Sequence, residues 1–551
     1  MDFRRYFLWG ALFVSGYLLF LQWNQDYGTT ATAQKAGTPS ETVVAANADS
    51  DLPSASTSTQ AASDSEIPDQ ATPVAEGELI HVTTDTLDVA INPKGGDLVE
   101  ASLLQYMKTN NGDEPFVILD NGGERLYVTQ SGLIGRDGPD ASGSRPMYST
   151  EQTSYSLNEG EDTLEVNLYY TDAKGISYTK TFVFTRGTYS IRQLITVNNT
   201  SEQTWRGNLF AQIKRDNSED PSTATNMGLQ PFLGGAISDE ENPYDKISFD
   251  DMAEEPVKET TTKGWVALLQ HYFVSAWIPE QGQKVTLQAR TNNGFNLIGF
   301  TGSAVEVPAG QQGTLSSTFY VGPKLQDQLA ATAENLDLTV DYGWLWWLAQ
   351  PLFWLLTAIQ SFVVNWGVAI ILIVVCVKAL FFKLSAASYR SMAKMRKFGP
   401  ELTRLREQYG DDRQAMSQKM MELYKKEKIN PLGGCLPILV QMPVFLSLYW
   451  VLMESVELRH APFMLWITDL SAMDPYFVLP ILMGLSMLGQ QALNPTPPDP
   501  MQARIMKIMP IAFTFFFLWF PAGLVLYWVV NNTLSIIQQY VITKNIEKGE
   551  G

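Results

Sequence analysis

Cysteine and histidine are almost missing from this 551-residue chain. It has two cysteines, Cys376 and Cys435, both in or beside long apolar runs. The remaining polar sequence therefore has no disulfide, whichever compartment it faces. His81, His271 and His460 are scattered, which excludes a zinc site of familiar spacing. There is no glycine-rich phosphate loop, so an ATP-driven pump is excluded, and no nucleophile–base pair stands out. No cofactor is expected, nor enzymatic activity. Positive charge is scarce over residues 24–345, where 19 Lys and Arg face 44 Asp and Glu, a net of −25. Between Lys383 and Asn430 the balance reverses, with 12 basic residues to 6 acidic. That split suggests opposite faces of a membrane, and no DNA partner is expected.

What the chain has in quantity is long apolar runs. Phe7 to Leu21 follows Arg4 and Arg5. Ala31-Thr32-Ala33 resembles a signal-peptide cleavage site, but it lies well beyond the run, and Trp23 extends the segment. A retained anchor (1–27) with a cytoplasmic N-terminus is the favoured reading. Residues 28–77 are Thr-, Ala-, Ser- and Pro-rich and too poor in large apolar groups to offset ordering entropy, which predicts a disordered linker. From 78 to 340 short alternating strands such as Ile176–Phe184 and Ile191–Val197 are broken by Gly, Asn and Asp turns. They predict a β-sandwich.

Residues 341–361 hold Trp344, Trp346, Trp347 and Trp354 around Pro351, which favours an interfacial helix over a span. Five apolar segments follow, at 362–382, 431–453, 476–493, 505–520 and 524–542, each near the ~20 residues a bilayer core demands. With the anchor they make six spans, which puts both termini in the cytoplasm. The loop charges agree. The basic stretch 383–430 falls inside, while the acidic domain and the loop 454–475 fall outside. A cytoplasmic loop (494–504) and a tail (543–551) complete the layout. The fold class is a multi-domain membrane protein with six helical spans, a large all-β sandwich and a helical hairpin.

The hairpin rests on Met392, Met395, Phe398, Leu402 and Leu405, a turn at Gly410-Asp411-Asp412, and Met416, Met420 and Leu423 on the return. Its basic face carries Lys394, Arg396, Lys397, Arg404 and Arg406. Such a face suits either anionic lipid of the phospholipid bilayer or ribosomal RNA.

The candidate site is polar chemistry at membrane depth. Lys378 lies four residues before the end of its run, so it either snorkels or serves a site. Gln441, Gln490, Gln491, Asn531, Asn532 and Thr533 also need partners or water there, from neighbouring helices or a shared wet cavity. Around them Met442, Phe445, Met506, Met509 and Phe513 form adaptable apolar walls.

Three longer motifs are specific. Asn430-Pro431-Leu432-Gly433-Gly434-Cys435-Leu436-Pro437, Gln441-Met442-Pro443 and Phe516–Tyr527 (FFLWFPAGLVLY) resemble the YidC/Oxa/Alb family of membrane protein insertases, as does Ser391–Arg396 (SMAKMR). The whole layout is similar to the form of that family found in Gram-negative bacteria. The resemblance implies a five-helix core with a hydrophilic groove open to the cytoplasm and carrying one positive charge, here at Lys378. Relatives usually have Arg there; Lys keeps the charge but loses the planar fork. Asp499 matches an acidic residue proposed to pair with that charge, and Trp528 stands where a second Tyr is common. The resemblance further implies an insertase and folding chaperone of the inner membrane. Its partners would be nascent inner-membrane proteins, the ribosome, the Sec translocon (SecYEG) and the SecDF complex. Two rivals are a secondary transporter with an intramembrane ion or solute site, and a periplasmic sugar-binding module.

Overall fold

A computed structural model describes residues 78–547 apart from 123–124, 142–144, 223–230, 399–400, 402–403, 406–407, 410–412, 427–435 and 494–499. The expected anchor and linker, at 1–77, lie outside the described residues, as do Arg406 and Asp499.

Residues 80–323 form three sheets of nine, six and five strands. The pairing is antiparallel except between Ile80–Thr83 and Ser154–Ser156. Alternation is clean where one face meets the core: Ser177–Thr185 and Ser190–Asn198 bury every second residue. Trp265–Leu269 and Phe273–Pro279 are buried along their whole length, because they are covered on both faces. Trp205, Trp265 and Trp277 sit fully buried in the core. The short helix α1 (Phe249–Glu254) is set by a capping box in which Ser248 and Asp251 satisfy each other's backbone N–H. It is followed by α2 (Gln326–Thr332) near the end of the domain.

Helix α3 (Trp346–Val363) buries Ala349, Leu352 and Leu356 and leaves Trp346, Trp347 and Trp354 exposed. It ends at Val364, whose positive φ reverses the chain, and Asn365 caps α4 (Trp366–Leu380) by accepting from Val368 N at 3.0 Å. The apolar run from 362 is therefore broken near its start. Helix α5 (Phe382–Lys397) follows α4 at a bend of 66°. Then come α6 (Arg413–Lys426), α7 (Leu436–Glu454), α8 (Val478–Leu493), α9 (Pro500–Phe516) and α10 (Ala522–Glu547). Helix α9 begins five residues before the expected apolar segment, with proline at its first position, where the missing N–H costs nothing. Helix α10 continues past the apolar stretch into polar sequence.

Among the described residues no single helix is long and apolar enough to cross a membrane; α4 with residues 382–391 of α5 qualifies only as a bent pair. The expectation of five separate apolar spans is coarsened accordingly. The physical reasons are the Val364–Asn365 break and the amides of α10, which dilute its apolar character. Helix α10 packs against α4, α5, α7 and α8, and α3 against α4 and α7.

Candidate functional site

Lys378 sits in the last turn of α4 and is buried. Its Nζ donates to Ser535 Oγ of α10 at 2.7 Å, and that hydroxyl donates to the Asn531 carbonyl at 2.7 Å. The ammonium is thus held against the neighbouring helix rather than extended along its own. Tyr389 of α5 reaches the same serine. Gln441 of α7 donates through Nε2 to Ser385 Oγ of α5 at 3.3 Å. Asn532 donates through Nδ2 to Ser486 Oγ of α8 at 3.1 Å. Four helices therefore meet α10 or α5 through one long side chain and one serine each time. Thr533 faces outward and, among the described residues, bonds its own helix at Val529 O.

Asn531 is half-buried and contributes its carbonyl. Gln490 and Gln491 are half-buried near the end of α8. Trp528 packs on Phe445 of α7, ring centroids 4.5 Å apart, and on Phe517 at 5.9 Å. Its indole N–H is buried with no acceptor among the described residues. Phe513 continues this aromatic row through Phe517. Met442, Met509 and Phe513 are exposed, while Phe445 and Met506 are half-buried. Of the basic hairpin residues, Arg404 is exposed; Lys394, Arg396 and Lys397 lie on α5.

Sequence reading missed the serines. Ser385, Ser388, Ser447 and Ser535 are buried, as is Gln539, whose Nε2 donates to Leu493 O at 3.3 Å. A usable signal was present. Ser385 and Ser388 share a helical face, and Ser535 lies one turn beyond Asn531.

Two family profiles cover the described chain. "YidC periplasmic domain" matches residues 79–355 and "60Kd inner membrane protein" matches residues 358–549. Among curated relatives, "Membrane protein insertase YidC" of Marinomonas sp. (strain MWYL1) is 76% identical over 549 residues, covering 99% of this chain and 100% of its own. The protein of the same name in Azotobacter vinelandii (strain DJ / ATCC BAA-1303) is 55% identical, covering 100% and 99%. A solved structure described as "Active YidC insertase crystal structure with the first transmembrane domain resolved" is 17% identical, covers 85% of this chain and 93% of its own, and fits at a TM-score of 0.37. A fit that loose carries no argument.

Proposed function

The chain belongs to the YidC family of membrane protein insertases, and we propose that it works through a groove built around Lys378. It is an insertase and folding chaperone of the bacterial inner membrane, not a catalytic enzyme, with its β-sandwich in the periplasm. Nothing in the comparisons favours a transporter. The finer reading is ours. Six helices span, the five after residue 361 form the core, and both termini are cytoplasmic. The hairpin of α5 and α6 meets the ribosome, and the chain works alone or beside the Sec translocon and SecDF.

Burying a substrate's apolar segment is downhill; carrying its polar flank through hydrocarbon is the barrier. A wet half-channel shortens the dry path. Lys378 offers a point charge to acidic residues in that flank, and the membrane potential pulls in the same direction. Asn531, Asn532 and Gln441 supply exchangeable amide contacts, and Asp499 is the candidate counter-charge. Released apolar segments leave along Met442, Phe445, Met506, Met509 and Phe513, with Trp528 behind them.

The observation that carries this reading is the 2.7 Å hydrogen bond from Lys378 to Ser535, which turns a charge inward between α4 and α10. It is tested by inserting a small single-span substrate with an acidic flank into proteoliposomes. Lys378→Ala is expected to lower insertion at least about tenfold, corresponding to loss of one charge contact. Lys378→Arg is expected to retain it. Undiminished insertion by the alanine variant removes the charge from the mechanism.

A further inference from the structure

A cavity of about 310 Å³ lies where the β-domain meets the outer end of α7, far from Lys378 along the helices. Three polar groups on its wall are left over. Lys324, following the domain's last strand, is 5% exposed, and its ammonium has no hydrogen bond or ion pair among the described residues. Glu454, the last residue of α7, likewise has no hydrogen bond or close ion pair among the described residues, and Lys324 is its nearest attracting charge. The Tyr244 hydroxyl is buried and unsatisfied. The other two charges on the wall are already matched, since Lys246 Nζ lies 2.6 Å from Asp341 Oδ2. His271 is occupied too, its Nε2 bonded to Met453 O at 2.9 Å.

Buried ions without partners are costly, and buried polar groups in folded proteins are otherwise nearly always satisfied. Burial holds the Glu454 carboxyl up to about 7 and pulls the Lys324 ammonium down, and their attraction for each other across the cavity offsets only part of that cost. What remains after internal pairing is one cation, one anion and one hydroxyl. That set complements a zwitterion whose phosphate meets Lys324 and Tyr244 and whose ammonium meets Glu454.

The surroundings say where such a group comes from. Tyr449, Trp450 and Met453 line one side from α7, and Gly343 lines the edge. Immediately beyond Gly343, Trp344, Trp346 and Trp347 are exposed at 71%, 54% and 57%. A belt of exposed tryptophan marks the depth of lipid headgroups. We propose that this cavity is a binding site for the headgroup of one zwitterionic, amine-bearing phospholipid of the outer leaflet, gripped between the periplasmic domain and α7. The lipid would occupy the joint between the two units. The inference rests on the membrane placement proposed above.

The test is native mass spectrometry of the full-length, delipidated protein in detergent. It is titrated separately with phosphatidylethanolamine, phosphatidylglycerol and soluble phosphoethanolamine. One phosphatidylethanolamine per chain is expected to persist, with weaker retention of phosphatidylglycerol and none of phosphoethanolamine. Lys324→Met is expected to lower retention of phosphatidylethanolamine roughly tenfold. Glu454→Gln, which preserves shape, is expected to shift preference toward phosphatidylglycerol, a change that misfolding does not produce. Equal retention in the wild type and both variants overturns the site. Equal affinity for both lipids removes the carboxylate's role and overturns zwitterion recognition. Binding of phosphoethanolamine as tight as that of the lipid makes the ligand a soluble phosphate ester and overturns the lipid source. A variant that loses the lipid but still inserts substrate supports the site without bearing on the groove. One that keeps the lipid but cannot insert sinks the site alone.

Discussion

At the scale of single residues, two buried cations in the β-domain have opposite structural weight. Arg145 forms ion pairs with both Asp97 and Asp140, the latter at 2.5 Å. It also donates to Gly95 O and Ser131 O. Lys180 donates to those same carbonyls at 3.0 and 2.9 Å and, among the described residues, has no carboxylate in contact. Burial pulls its ammonium down to about 7. Removing Arg145 strands two buried carboxylates, whereas removing Lys180 leaves its acceptors served by Arg145. Arg145→Met is therefore expected to cost about 3–5 kcal/mol, in line with one broken partner of a buried ion group, and Lys180→Met less than about 1.5 kcal/mol. Hydrogen exchange of the sheet amides in the full-length protein reads the difference. Equal loss of protection in both variants contradicts it. Neither residue stood out in the sequence. Lys180 shares the alternate positions of Tyr178, Phe182 and Phe184, so the strand period itself turns it inward, and what the sequence does not show is that the Gly95 and Ser131 carbonyls wait there to receive it.

At the scale of elements, helix starts decide more than helix hydrophobicity does. Asp474 is buried in the loop before α8. It accepts from Leu479 N at 2.7 Å, Tyr476 N at 3.0 Å and Trp466 Nε1 at 2.9 Å. Asp474→Ala loses a cap and leaves an indole N–H unsatisfied, so α8 is expected to lose about 2–3 kcal/mol at its outer end. Faster exchange at Leu479 together with a red shift of Trp466 fluorescence checks this, and unchanged exchange contradicts it. The same physics explains what was legible. Alternation in Ser177–Thr185 and Ser190–Asn198 declares strands because one face is dry. Tryptophan density declares the amphipathic α3. The break at Val364–Asn365 was hidden inside an apolar run, because a left-handed Val has no composition signature. The capping box before α1 is legible as Ser248-x-x-Asp251. The polar contacts between helices were half legible. Lys378, Gln441 and Asn532 stood out as expensive in lipid, but their serine partners did not, since a serine in an apolar helix can satisfy itself on its own carbonyls.

At the scale of the whole molecule, the β-domain and the helical core are joined by groups that titrate. His271 Nε2 donates to the Met453 carbonyl at 2.9 Å, and burial keeps the ring neutral. Arg459 lies over the rings of Phe116 and Phe273 at 5.3 and 5.6 Å and donates to Lys108 O. Burial, with the Lys324 charge second, lowers His271 to about 4. An unfolded or undocked histidine titrates near 6.5, so between pH 6.5 and 4 the undocked state binds more protons. Docking stability therefore rises with pH through that window and is lost as pH falls, by about 3 kcal/mol at most. Glu454 and Glu457 act in the opposite sense. Burial holds both at about 7, so their contribution is full below the ordinary carboxylate range and fades as pH rises through 7. The two slopes oppose each other between about 4.5 and 6.5, but two glutamates outweigh one histidine, so docking loosens overall as pH rises through that window and the joint is most secure near pH 4.5. Replacing His271 by Gln keeps a donor for Met453 and removes only the histidine's slope. Crosslinking between cysteines placed at Asn110 and Thr468, which bridge the two units through a 3.0 Å hydrogen bond, is expected to rise on acidification from pH 7 toward 4.5 in the parent cysteine pair. With His271→Gln added, the rise should be larger, because the histidine's opposing slope is gone. An identical acid response with and without the histidine assigns the pH dependence of the joint elsewhere.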